Sequence, residues 1–240
     1  MHGLLEYAMF SGVLEIGRNP VSLVKNPGAT KRTRKARSLT TEQFQALLTA
    51  LHEPLATLAL TCVCCGLRIS EALALRWSDV DWLGSHLSIK RGIVEQKVAD
   101  VKTEGSAKTF VIATELLGRL KSWKQVSQFP APDDWIFASP LKYGRLPYSY
   151  TGVWRELVRA AEVAQIGHLG THSWRHTYRS WLDAVGTPVT VQQKMMRHAD
   201  IRTTFNIYGD VVTDEMTTAT SKIAALAFQV NGAQTERKGS

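Results

Sequence analysis

Between Thr171 and Val211 the chain gathers His172, Arg175, His198 and Tyr208: two imidazoles, a guanidinium and a phenol in one compact segment. His172 and Arg175 stand three residues apart, a spacing that puts both on one face of a helix. A guanidinium forks onto two phosphate oxygens, which a lysine does not do. A second arginine, Arg68 in CGLRISEALALRW, would let two forks bracket one phosphate. That supplies fixed positive charge to the non-bridging oxygens of a phosphorane-like transition state. Tyr208 is then the candidate nucleophile. A phenol titrates near about 10, so it needs a base and a positive field, and His172 is the candidate base. The leaving oxygen needs a proton, for which Lys102 is the candidate general acid and Lys97 and Lys108 are rivals. His198 would hold the phosphate or the tyrosine by hydrogen bonding.

Taken singly, each residue also has a structural reading. Arg68 could cap helix carbonyls, His172 and His198 could be satisfied structural histidines, and Tyr208 could pack a helix end before Gly209. Arg175 beside Arg179 could belong to a solvated face. His172 and His176 have the spacing of half a zinc site, but the glutamate of an HExxH motif is absent and no third ligand presents itself, so no metal is expected. Cys62, Cys64 and Cys65 share one apolar stretch without a second cluster, and read as reduced, small hydrophobes in a buried helix. No cofactor is expected.

The elements that must position these groups follow from composition and periodicity. The chain has 240 residues, 44% of them hydrophobic, enough for one substantial core with an appendage. A net charge of +8 is consistent with a nucleic-acid partner. Neither a membrane-spanning run nor a secretory leader is read, so a cytoplasmic protein is expected. Residues 1–24 read as a helical piece, with Leu4, Leu5, Ala8 and Met9 at helical spacing, too short to bury its own apolar face. Residues 25–37, KNPGATKRTRKAR, read as a basic linker, either a solvated tether or a strap on a phosphate backbone.

Thr40 and Gln43 form a capping-box signature, and Phe44, Leu47, Leu48 and Leu51 line one helical face. Pro54 opens a buried helix that Gly66 closes. Arg68 falls in the corner that follows, with Ser70 as the expected cap of the next helix. From Leu87 to Ile112, alternating β-branched stretches predict a small antiparallel sheet with its hairpin tip near Gly105 and Lys102 just before it. Helices are expected from Thr114, over Ser149–Ala164 with Val153, Leu157, Val158 and Ala161 inward, from Thr171 or His172 to Gly186, and over Val191–Met196. Asp200 would cap a helix that carries Tyr208, and Thr213 the last one. Residues 229–240 read as a mobile tail.

Taken together these residues resemble the tyrosine recombinase, or phage integrase, family. The resemblance lies in Gly66-Leu67-Arg68-Ile69-Ser70-Glu71, in His172-Ser173-Trp174-Arg175-His176, in Arg197-His198 and in Tyr208-Gly209 ten residues on, while Val101-Lys102-Thr103 is similar to the family's lysine turn. It extends from about Ser38 to Phe228. The chain differs from the family in Trp174, where leucine is usual, and in Arg197, where a small residue usually precedes the histidine. The resemblance implies a mostly helical α+β catalytic domain over 38–228, with 1–24 as the remnant of an N-terminal core-binding domain and 25–37 as the interdomain linker. It implies tyrosine attack on one DNA strand, a 3′-phosphotyrosyl link and a freed 5′-hydroxyl, needing neither ATP nor metal. Glu71 would steady Arg68. The partner would be double-stranded DNA, with four protomers on two DNA sites and a monomer off DNA, nucleoid-associated in the cell. The other readings are a type IB topoisomerase-like nicking and religation enzyme and a catalytically dead DNA-binding module of the same fold.

Overall fold

The computed structural model describes residues 2–23, 37–100, 108–196 and 214–233. Lys102, His198 and Tyr208 lie outside the described residues, as do Gly105, Arg197, Asp200 and Thr213. The chain forms two compact units, Met1–Lys35 and Ala36–Ser240.

The first unit holds helix α1 (His2–Phe10) and a 3-10 turn over Pro20–Leu23. Gly12, at φ 72, turns the chain away from α1, a conformation that costs glycine little. Leu4, Tyr7 and Phe10 are exposed, as expected of a helix too short to bury an apolar face within its own unit.

The second unit is built around α3 (Leu55–Cys65), every residue of which is buried. The run LATLALTCVCC has no polar face, and a helix apolar all round is stable only when covered on all sides. α2 (Thr41–Ala50), α4 (Ile69–Leu73), α5 (Thr114–Val126), α7 (His172–Ala184) and α9 (Asp214–Ala233) supply that cover. The Thr40–Gln43 capping box forms on α2, and Phe44 and Leu47 are buried. α6 (Tyr150–Val163) starts at a Ser149 cap and buries Val153, Leu157, Ala160 and Ala161, while Val158 is half-buried. α8 (Val189–Met196) begins two residues before the expected start. Cys62, Cys64 and Cys65 are free and buried, as read from the sequence.

Among the described residues, two small antiparallel sheets pack with these helices in the unit. β1 (Val80–Asp81), β2 (His86–Ile89) and β5 (Lys108–Val111) form one, in the order β1-β2-β5. β3 (Arg91–Val94) and β4 (Lys97–Asp100) form a two-stranded ribbon. Its turn is Glu95-Gln96, at φ 51 and 62, the left-handed pair a two-residue hairpin needs. The sequence carries no glycine there to signal this turn. The alternating stretch that starts at Leu87 breaks at Lys90 into strands of different sheets.

Two further expectations are corrected. Ser70 does not cap α4: the N-cap position is Arg68, and the Glu71 carboxylate accepts the Arg68 backbone N–H at 2.9 Å. The chain is already helical at Ile69, which puts Ser70 inside the first turn and leaves the glutamate three residues past the cap to reach back. α9 runs to Ala233, so residues 229–233 are helix and not tail.

Candidate active site

The corner after α3 is set by Gly66. It adopts φ 59, and its N–H donates to the Cys62 carbonyl. An added Cβ would stand 2.3 Å and 2.4 Å from two ring carbons of Tyr178 on α7, so only glycine lets the two helices meet here. Two residues on, Arg68 is extended and its side chain is 45% exposed. Its Nη1 lies 2.9 Å from Glu71 Oε1. The same carboxylate therefore caps α4 and holds the guanidinium at the corner.

α7 supplies the second arginine. The helix starts at His172, whose side chain is exposed. Thr171 before it makes no side-chain cap, and its buried hydroxyl has no hydrogen-bond partner among the described residues. Arg175, one turn into the helix, is only 7% exposed. Nη1 of Arg175 donates to the Gly66 carbonyl and Nη2 to the Met196 carbonyl. Met196 is the last residue of α8, directly before Arg197 and His198. One planar guanidinium thus joins the corner that carries Arg68 to the helix end that leads to His198. A lysine has the charge but not the fork to span both carbonyls.

α7 and α8 are themselves fixed by buried polar contacts. Thr177 Oγ1 accepts the Leu39 N–H at 2.9 Å, and Trp181 Nε1 donates to the Leu39 carbonyl at 3.1 Å. Gln192 Nε2 donates to Asp183 Oδ1 and to the Thr187 carbonyl, each at 2.8 Å, which sets α8 against the end of α7.

Of the six candidate residues, Arg68 stands two residues after Gly66, whose carbonyl Arg175 binds, and His172 lies on the helix of Arg175. His172 and Arg175 differ in burial, the first facing solvent and the second the interior. Gly66 and Tyr178 are the positioning residues whose joint role the sequence reading missed. The glycine's turn signal was visible, but its contact with the ring joins residues far apart in the chain. Among the described residues there is no group of three or more His, Cys, Asp or Glu side chains able to hold a metal ion. No helix among them is long and apolar enough to cross a membrane.

Comparison with known proteins places this geometry. Residues 37–215 match the model of the phage integrase family. Tyrosine recombinase XerD of Halalkalibacterium halodurans is 32% identical over 209 residues, 82% of this chain and 64% of that protein. A tyrosine recombinase XerC-like protein of Caldanaerobacter subterraneus subsp. tengcongensis is 24% identical over 178 residues, 64% of this chain and 45% of that protein. The chain thus spans about half to two thirds of the length of these curated relatives. The Tn1549 transposon integrase, solved in complex with transposon right end DNA, superposes on all of this chain and 76% of its own, with a TM-score of 0.66 at 17% identity. A lambda integrase dimer bound to a COC′ core site covers 92% of this chain and 69% of its own, with a TM-score of 0.56 at 17% identity. These two likenesses establish the fold, the mostly helical α+β architecture with a small antiparallel sheet. The chain belongs to the phage integrase family.

Proposed function

We propose that residues 38–228 are the catalytic part of a tyrosine-type site-specific recombinase, which cuts and rejoins double-stranded DNA through a 3′-phosphotyrosyl intermediate. The observation that carries this reading is the Arg175 guanidinium, which ties the Arg68 corner to the end of α8 that leads into His198. Such a tie fixes positive charge beside one phosphate before the substrate arrives, and preorganised charge of this kind is what accelerates phosphoryl transfer most.

In this reading Tyr208 Oη attacks the scissile phosphorus and gives its proton to His172. The bond from phosphorus to the 5′-oxygen breaks, and that oxygen takes a proton from Lys102. Arg68 and the N–H groups of Arg175 not given to the Gly66 and Met196 carbonyls hold the non-bridging oxygens, and His198 hydrogen-bonds the phosphate. The freed 5′-hydroxyl of a partner strand reverses the steps, so bond energy is conserved in the phosphotyrosine. Residues 25–37 act as a basic strap on the DNA backbone. The chain is monomeric off DNA, and four protomers assemble on two DNA sites in the cytoplasm.

The test is adduct formation. Nicked suicide duplexes tiling the DNA that flanks the protein's own gene are incubated with it in EDTA and run on a denaturing gel, beside Tyr208→Phe. A protein–DNA adduct that requires Tyr208 and survives EDTA is the expected result. An adduct that persists in Tyr208→Phe, or one that EDTA abolishes, refutes the mechanism.

A further inference from the structure

Asp79 ends the 3-10 turn Trp77–Asp79 that follows α4, and its side chain is 1% exposed. Burying a carboxylate is costly unless it is paired and hydrogen-bonded. Here Nη2 of Arg91 lies 2.7 Å from both carboxylate oxygens, and the Arg76 backbone N–H donates to Oδ2 at 2.9 Å. Lys90 Nζ stands 3.4 Å from Oδ1. Arg91 is itself only 14% exposed, and Lys90 is half-exposed. The Arg76 guanidinium lies over the Trp135 ring, 4.5 Å from its centre.

The two cations that Asp79 binds are consecutive, and they sit where the two sheets part. Arg91 pairs across the ribbon with Asp100, and Ile89 pairs across the other sheet with Lys108. Asp100 and Lys108, the described residues on either side of 101–107, are therefore both paired with the stretch 89–91, and Asp79 grips the middle and the last residue of that stretch. Lys102 follows Asp100 by two residues, a reach of at most about 7 Å. Asp79 also belongs to the chain that leaves α4, 11 residues after Arg68.

We infer that Asp79 is a positioning residue for the general acid: by holding Lys90 and Arg91 it fixes the strand junction from which Lys102 is delivered. The inference rests on the reading of Lys102 as the proton donor to the 5′-oxygen. A misplacement of about 1 Å at a reacting group costs on the order of 100-fold in rate. Asp79 is thus expected to act on the leaving-group step and not on DNA binding.

The experiment uses the cleavage site found by adduct formation, made once with the natural 5′-oxygen and once with a bridging 5′-sulfur. A thiolate leaves without being protonated, so the sulfur substrate has no need of the acid. Asp79→Asn and Arg91→Lys are each compared with Lys102→Ala; the lysine variant keeps a cation beside Asp79, so the fold has a second chance to survive. Rates are measured at saturating protein, after native circular dichroism has been verified. The expected result is that both variants slow cleavage on the order of 100-fold with oxygen and regain the parent rate with sulfur. Asp79→Asn should further add nothing to Lys102→Ala with oxygen. Equal slowing on both substrates, no slowing at all, or an additive loss on top of Lys102→Ala overturns the inference. If sulfur fails to restore Lys102→Ala itself, the acid assignment falls, and this inference with it. Restoration of Lys102→Ala without restoration of Asp79→Asn overturns the positioning role alone.

Discussion

Gly66→Ala tests how the two arginines are brought together. An alanine held at φ 59 costs about 1–2 kcal/mol in the left-handed region. The narrower unfolded ensemble of alanine offsets about 0.4–1 kcal/mol of that. The new Cβ would also stand 2.3 Å from Tyr178 Cδ1. Tyr178 is 1% exposed, so its ring cannot swing into solvent and α3 and α7 must separate. Overpacking of this kind costs about 1–3 kcal/mol. A net loss of about 2–4 kcal/mol is expected, which lowers the melting temperature of a domain this size by roughly 5–15 °C. Thermal unfolding followed by tryptophan fluorescence reads it, since Trp77, Trp174 and Trp181 are buried. Tyr178→Leu in the Gly66→Ala background should recover the overlap part and leave the backbone part, so the two changes should couple in a double-mutant cycle. Adduct formation should fall further than stability, because Gly66 also presents the carbonyl that Arg175 binds. A Gly66→Ala variant as stable as the parent, or one additive with Tyr178→Leu, would refute the reasoning.

Three other outcomes are expected. Arg175→Lys keeps the charge but not the span between the Gly66 and Met196 carbonyls; it should cost about 1–3 kcal/mol in urea unfolding, and an unchanged midpoint would show that the tie carries no weight. Burial holds the Cys64 thiol well above its ordinary value. Its contribution to stability is fully present below the ordinary thiol value and is lost as pH rises beyond it, since the unfolded chain then releases a proton that the folded chain keeps. Cys64→Ala should flatten this alkaline limb of the stability curve, and the three buried thiols should label with a disulfide reagent only on unfolding; rapid labelling of the native protein would contradict that. DNA affinity should fall steeply and log-linearly with salt, as phosphate contacts by a chain of net charge +8 require, and a binding constant flat between low and moderate salt would exclude backbone contacts as its source.

What the sequence determined by itself is local. An apolar run with no polar face between Pro54 and Gly66 can only be a buried helix, and α3 is one. Thr40 and Gln43, three residues apart, satisfy each other's end of α2 without help from elsewhere. The order and spacing of Arg68, His172, Arg175, His198 and Tyr208 likewise needed no fold to be read as a phosphate site with a nucleophile. The tertiary structure decided which of several possible partners each group takes. Arg175 could have been a solvated cation by its spacing; it is a buried tie because packing α7 on α3 brings it to a carbonyl 109 positions away. The alternating stretch that starts at Leu87 splits at Lys90, where a buried carboxylate from the preceding turn takes both Lys90 and Arg91. Ser70 and Glu71 both have side chains that can cap, and the start of the helix at Ile69 selected the glutamate. Periodicity reports which face of an element is apolar. The fate of a buried charge depends on desolvation, and that is fixed only once distant segments have packed.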